Sequence, residues 1–191
     1  MTKLRENYLL RSVLSIAFIS YLMLLVKLIM FKMGSFDFDY MFKSLAYNLN
    51  HLDRFTTYLD YRMNLIPFRE ISGNIRSIIE YQSMTGFLNF VGNIVAFIPL
   101  GFMLPILFGT NKAGFTRVLI ISLALSAGFE LLQLITSMGA CDIDDVILNT
   151  SGGVIGYLLF LLGRSLVQLF NQPNVLHKDK MKMESARLSK N

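Results

Sequence analysis

The stretch FLNFVGNIVAFIPLGFMLPILF, roughly from Phe87 to Phe108, decides the fold. It matches the run of about 20 apolar residues needed to cross a hydrocarbon core of about 30 Å at about 1.5 Å per residue. It contains no Asp, Glu, Lys or Arg. Three further stretches read the same way: roughly 12–31 (SVLSIAFISYLMLLVKLIMF), 118–138 and 146–162, the last continuing as an interfacial helix toward Phe170. A signal peptide is the competing reading of the first. Its apolar stretch exceeds the length of a signal core, and no small-x-small cleavage site follows, so it reads as a signal anchor. Lys27, near its far end, can snorkel to the interface.

The whole chain agrees with that reading. Of its 191 residues, 53% are hydrophobic and 16% are charged, against about 25% charged in a soluble domain. Mean hydropathy is +0.50. A disordered chain would be far less apolar. A disulfide-stapled secreted domain needs several cysteines, and there is one. The expected fold is all-α: a polytopic membrane helix bundle of four transmembrane helices, forming one membrane domain over 1–170. A polar, basic tail follows over 171–191.

Charge sets the expected orientation, because Lys and Arg collect on the cytoplasmic side. Lys3, Arg5 and Arg11 precede the first span, Lys112 and Arg117 lie between the second and third, and Arg164, Lys178, Lys180 and Lys182 follow the fourth. The loop between the third and fourth has no base but carries Asp142, Asp144 and Asp145. Both termini are therefore expected in the cytoplasm, with loops 33–86 and 139–145 outside. In the longer loop, Phe38, Phe42, Leu45, Leu49, Leu52, Phe55 and Leu59 recur at steps of three or four, one face of an amphipathic helix. That helix either lies on the outer leaflet or packs on the spans. Pro67 then holds Ile66 extended and ends any helix. The segment from Asn64 through Pro67 and Phe68 to Arg69 reads as a structured connector near the membrane surface.

The polar residues within the spans carry the functional information, since polar groups in lipid need partners or a polar cavity. Asn89 and Asn93 share one helical face of the second span, Glu130 and Gln133 one face of the third, and Asp145 and Asn149 one face of the fourth. At about 1.5 Å per residue, Asn93, Glu130, Gln133 and Asn149 lie roughly 5–12 Å below the outer surface. They point to a single outward-facing polar pocket with Asp142 and Asp144 at its rim. The competing reading for the amides is interhelical bonding, worth about 0.6–2 kcal/mol each. Glu130 must protonate, pair with Gln133, Asn93 or Asn149, or meet a cation or a ligand amine. Asp142, Asp144 and Asp145 supply hard oxygens for a divalent cation, although the spacing is not that of an EF-hand; alternatively Asp145 caps the fourth span. Gly152 and Gly156 form a small-x-x-x-small pattern for close helix contact. Pro99 and Pro105 are expected to kink the second span or end it early.

Other chemistries lack support. There is no phosphate-binding Gly-rich loop and no zinc constellation. His51 and His177 fall on opposite sides of the membrane, and no nucleophile–base pair stands out. The basic residues are spread over termini and loops, a topology pattern rather than a nucleic-acid patch. No cofactor is expected apart from the divalent cation weighed above.

The run Asn93-Ile94-Val95-Ala96-Phe97-Ile98-Pro99-Leu100-Gly101, then Glu130-Leu131-Leu132-Gln133, then Asp142 to Gly153 (DIDDVILNTSGG), resembles the VanZ-like family. Asn64-Leu65-Ile66-Pro67-Phe68 is similar to that family's outer-loop element. The resemblance covers roughly 60–163. It implies a protein of the bacterial cell membrane, associated with resistance to the lipoglycopeptide teicoplanin. It gives a phenotype class rather than a reaction. Relatives often carry an arginine around Gly139; this chain has none, so no role tied to that arginine is carried over. The expected function is that of a non-catalytic envelope protein engaging membrane lipid, a lipid-linked wall precursor or a lipoglycopeptide. The alternatives are a membrane-embedded enzyme on a headgroup, with Glu130 as acid or base and Arg69 or Arg76 clamping a phosphate, and a small transporter.

Overall fold

The structure, a computed structural model, describes residues 2–30, 37–110 and 112–170. The basic tail expected over 171–191 and the start of the outer loop, 33–36, lie outside the described residues. Seven helices and two very short strands follow in order: α1 (Thr2–Met30), α2 (Phe38–Asn50), α3 (Leu52–Arg62), β1 (Met63–Asn64), α4 (Arg69–Tyr81), α5 (Met84–Phe108), α6 (Phe115–Ile135), β2 (Cys141–Asp142) and α7 (Ile143–Phe170). Four of the helices are long and apolar enough to span a membrane: Tyr8–Met30 within α1, and all of α5, α6 and α7. The all-α membrane bundle is thus as expected; three of the spans are longer than the apolar runs alone suggested, and the third has the same length shifted three residues toward the N-terminus.

The spans pack around α5. Leu25 and Ile29 of α1, Phe97, Leu100 and Leu104 of α5, Val118 and Phe129 of α6, and Tyr157 of α7 form the core. The Phe97 and Phe129 rings meet edge to face, 6.5 Å between centroids. Tyr21 donates from α1 to the Ala96 carbonyl at 2.8 Å, a bond within the spans where no water competes. α5 runs unbroken through Pro99 and Pro105 to Phe108, so neither proline ends it early. It stops at Gly109, whose φ of 78° reverses the chain into the short link to α6.

The α5–α7 contact is made backbone to backbone. A Cβ on Gly152 would fall onto the Ile94 carbonyl, one on Gly156 onto that of Ile98, and one on Gly101 onto that of Gly153. Three glycines on two helices thus interlock, the close approach that small residues allow where lipid supplies no hydrophobic drive.

The outer loop departs from its sequence reading. The amphipathic periodicity predicts one helix from Phe38 to Leu59, but the chain breaks at His51 (φ −133°, ψ 59°) into α2 and α3. α2 starts on an Asp37 cap, whose side chain accepts the Tyr40 N–H at 2.8 Å. It contains no buried residue, and Asn48 ties it to the end of α6 by donating to the Ile135 carbonyl and the Ser137 hydroxyl. α4 was not foreseen. Its signal was present as Ile71, Ile75, Ile78 and Ile79, one apolar face at helical spacing. The strands β1 and β2 pair in parallel, Met63 with Cys141 and Asn64 with Asp142. A two-residue ladder joining segments so far apart leaves no periodic trace in sequence.

Candidate functional site

The polar residues gather at one end of the bundle, where α1 ends, α5 begins, α6 ends and α7 begins. The parallel strand pair brings the Asn64–Arg69 connector to the start of α7, and the acids then organise it. Asp142 is the N-cap of α7, its Oδ1 accepting the Asp144 N–H at 2.8 Å. The capping role offered above for Asp145 therefore belongs to Asp142. Asn64 Nδ2 reaches both carboxylate oxygens of Asp142 at 3.2 Å. Asp142's own N–H donates to Glu130 Oε2 at 2.8 Å. Glu130, 2% exposed, thereby holds the backbone of the short loop that follows α6.

Asp144 is fully buried. Its Oδ1 accepts the Phe68 N–H at 2.6 Å, and its Oδ2 accepts those of Glu70 and Ile71 at 2.8 and 3.1 Å. Two helix N-termini, those of α4 and α7, thus direct N–H groups and the positive ends of their dipoles at this acidic cluster. That explains how three aspartates within four positions can be packed together.

The remaining candidates separate from this chain of bonds. Asn93 Nδ2 donates to Asp145 Oδ1 at 2.5 Å, joining α5 to α7. Asn149, fully buried, donates to the Ser126 hydroxyl at 2.9 Å, joining α7 to α6. Gln133, 1% exposed, donates to the Ile29 carbonyl at 2.8 Å, joining α6 to α1. These amides are interhelical ties, each spent on a different helix pair. Gly139 packs against Gln133, where a Cβ would stand 3.3 Å from the Gln133 Cβ and Cδ. Asn89 is exposed and stands apart from the network. Pro67, Phe68 and Arg69 are also exposed. Among the described residues, no group of three or more His, Cys, Asp or Glu side chains is placed to hold a metal ion. Asp142, Asp144 and Asp145 point their oxygens at separate partners.

Sequence reasoning missed two features. Ser126, facing Asn149, and Ser122 one turn below it are both fully buried on α6; their spacing of four, continuing to Glu130, was legible. An open pocket of about 530 Å³ lies beside α2 and α3, lined by Tyr40, Lys43, Tyr47, Phe55, Tyr58 and Ser137. No sequence pattern marks it, because its walls come from separate segments.

Cys141, in β2, has its thiol pushed up from the ordinary range, first by burial and then by the negative charges of Glu130 and Asp142. A raised value leaves less thiolate at neutral pH. Alkylation of Cys141 is therefore expected to need higher pH than alkylation of a free cysteine. Glu130→Gln should move that profile part of the way back. A maleimide rate–pH curve coincident with free cysteine would contradict this.

Fold and site together define a four-span helical membrane protein with buried carboxylates at one end of its bundle. The chain belongs to the VanZ/LLP1 family, whose sequence profile matches residues 18–164. It is similar to Protein VanZ of Enterococcus faecium, with 38% identity over 98 residues. That match covers 51% of this chain and 52% of the relative, so the chain spans about half the length of the curated relative it matches. No solved structure matches.

Proposed function

We propose that this protein acts in the envelope of a bacterial cell, with both termini cytoplasmic, and lowers sensitivity to teicoplanin. It does so by engaging a lipid-linked wall precursor or the lipoglycopeptide itself at the outward end of its bundle. The observation that carries this reading is the Glu130–Asp142–Asn64 chain of bonds beside the Asp144 clamp. It supports a preorganised acidic end of the bundle at which Asp142 and Asp145 are the half-buried carboxylates, and the Lys and Arg distribution favours that end facing outward. Such an acidic end suits a ligand that offers an amine. Glu130 is only 2% exposed, which favours a supporting role over direct acid–base work on a substrate and places the enzymatic reading second.

In a teicoplanin-sensitive host, expression of the chain should raise tolerance, and Glu130→Ala should abolish the gain without loss of membrane insertion. Glu130→Gln, which keeps an oxygen for the Asp142 N–H, should retain part of it. Unchanged tolerance in Glu130→Ala would sink the idea. Orientation is tested in a Cys141→Ser background: in intact cells a membrane-impermeant maleimide should label Thr57→Cys and spare Ser189→Cys.

A further inference from the structure

The turn after β1 combines three properties: an apolar exposed tip, a rigid backbone and a strained aromatic residue. Leu65, Ile66 and Phe68 are 58%, 60% and 63% exposed, so the turn presents an apolar tip. The tip is rigid: the Arg69 N–H closes a turn onto the Ile66 carbonyl at 3.4 Å, and Asp144 grips the amides of Phe68, Glu70 and Ile71. Phe68 occupies the third position of that turn with φ 67° and ψ 6°, the left-handed region where glycine is unstrained and a bulky residue is an outlier. A strained phenylalanine that buries little within its own protein needs a partner outside it.

The location says which partner. The Phe68 N–H lies 2.6 Å from a carboxylate in the first turn of α7, so the tip stands beside the start of a helix long and apolar enough to cross a membrane. Arg62 and Arg69 flank it, both exposed, as basic residues do at a phosphate layer. We infer that Leu65, Ile66 and Phe68 form a wedge inserted into the upper acyl layer of the adjacent leaflet, with Arg62 and Arg69 at the phosphates. The wedge fixes the start of α4 at the membrane surface. The inference depends neither on which face of the membrane is outside nor on the ligand proposed above.

The chain has no tryptophan, so single substitutions report cleanly. Phe68→Trp and Ile66→Trp in the full chain, reconstituted in phosphatidylglycerol–phosphatidylcholine vesicles, should each emit in the blue. Each should lose most of its intensity when the lipids are brominated high on the acyl chain, and should respond weakly to aqueous acrylamide. Acrylamide quenching without bromolipid quenching at either position overturns the wedge, because the turn is rigid and both side chains must enter together. Phe68→Gly removes the aromatic and relaxes the backbone, so in detergent its thermal midpoint should be equal or higher. A clear fall would show that Phe68 packs within the protein, and would also overturn the proposal.

Discussion

Gly152→Ala is expected to lower the thermal midpoint of the purified protein sharply, as alanine at Gly101 or Gly156 in the same seam also should. The new Cβ would overlap the Ile94 carbonyl, and a carbonyl in the middle of a helix cannot rotate away. α7 must instead retreat from α5 along its length, undoing the contacts that Gly101 and Gly156 make in the same seam. Overpacking of this kind costs on the order of 3 kcal/mol, a large share of the roughly 5–15 kcal/mol that holds a typical domain folded. Gly73→Ala is the matched control. Gly73 lies in α4 with nothing within 4 Å of a built Cβ, so alanine should stabilise by about 0.5–1 kcal/mol through helix propensity. Heating in detergent followed by size-exclusion chromatography separates the two. Equal midpoints would show that the α5–α7 seam is looser than described.

Asp144→Ala is expected to release the connector from Asn64 to Arg69 while leaving the spans assembled. Three backbone N–H groups, those of Phe68, Glu70 and Ile71, would lose their acceptor at once. Hydrogen bonds to a carboxylate contribute about 1.5–3 kcal/mol each, and orphaned buried donors carry a penalty of their own. The combined loss is on the order of 4 kcal/mol, felt first at the turn into α4, where all three amides stand. Phe68 would no longer be held at positive φ, and the first turn of α4 would fray. Hydrogen exchange should accelerate at residues 68–71 with little change in α5 or α6. Asp144→Asn, which keeps one acceptor oxygen, should fall between. Uniform acceleration across the bundle would mean that Asp144 supports the whole fold rather than the connector.

Much of this was legible in the chain itself. The four spans follow from runs of apolar sequence of membrane length, and a close helix contact on α7, though not its partner, from the spacing of Gly152 and Gly156. The pairs Glu130–Gln133, Asn93 and Asp145–Asn149 marked the polar end because polar groups in lipid stand out against an apolar background. Their partners were not legible. Asn93, Gln133 and Asn149 all stood open as partners for Glu130; Asn93 bonds to Asp145 and Gln133 to α1, while Asp144, read as rim or metal ligand, holds the start of α4. A side chain's face follows from helical period, but its partner depends on which helix lies opposite.

By itself the sequence determined the class of protein, its spans, the uneven distribution of Lys and Arg among the segment ends and the residues that had to find polar partners. These follow from one-dimensional quantities: length, hydropathy, period and sign of charge. Only the tertiary structure decided that β1 joins β2, that Asp144 clamps α4, and that Phe68 is left strained and exposed beside the mouth of α7. Those outcomes depend on contacts between segments more than seventy residues apart. No local propensity reports such a contact, because its free energy exists only once both segments have been brought to the same end of the bundle.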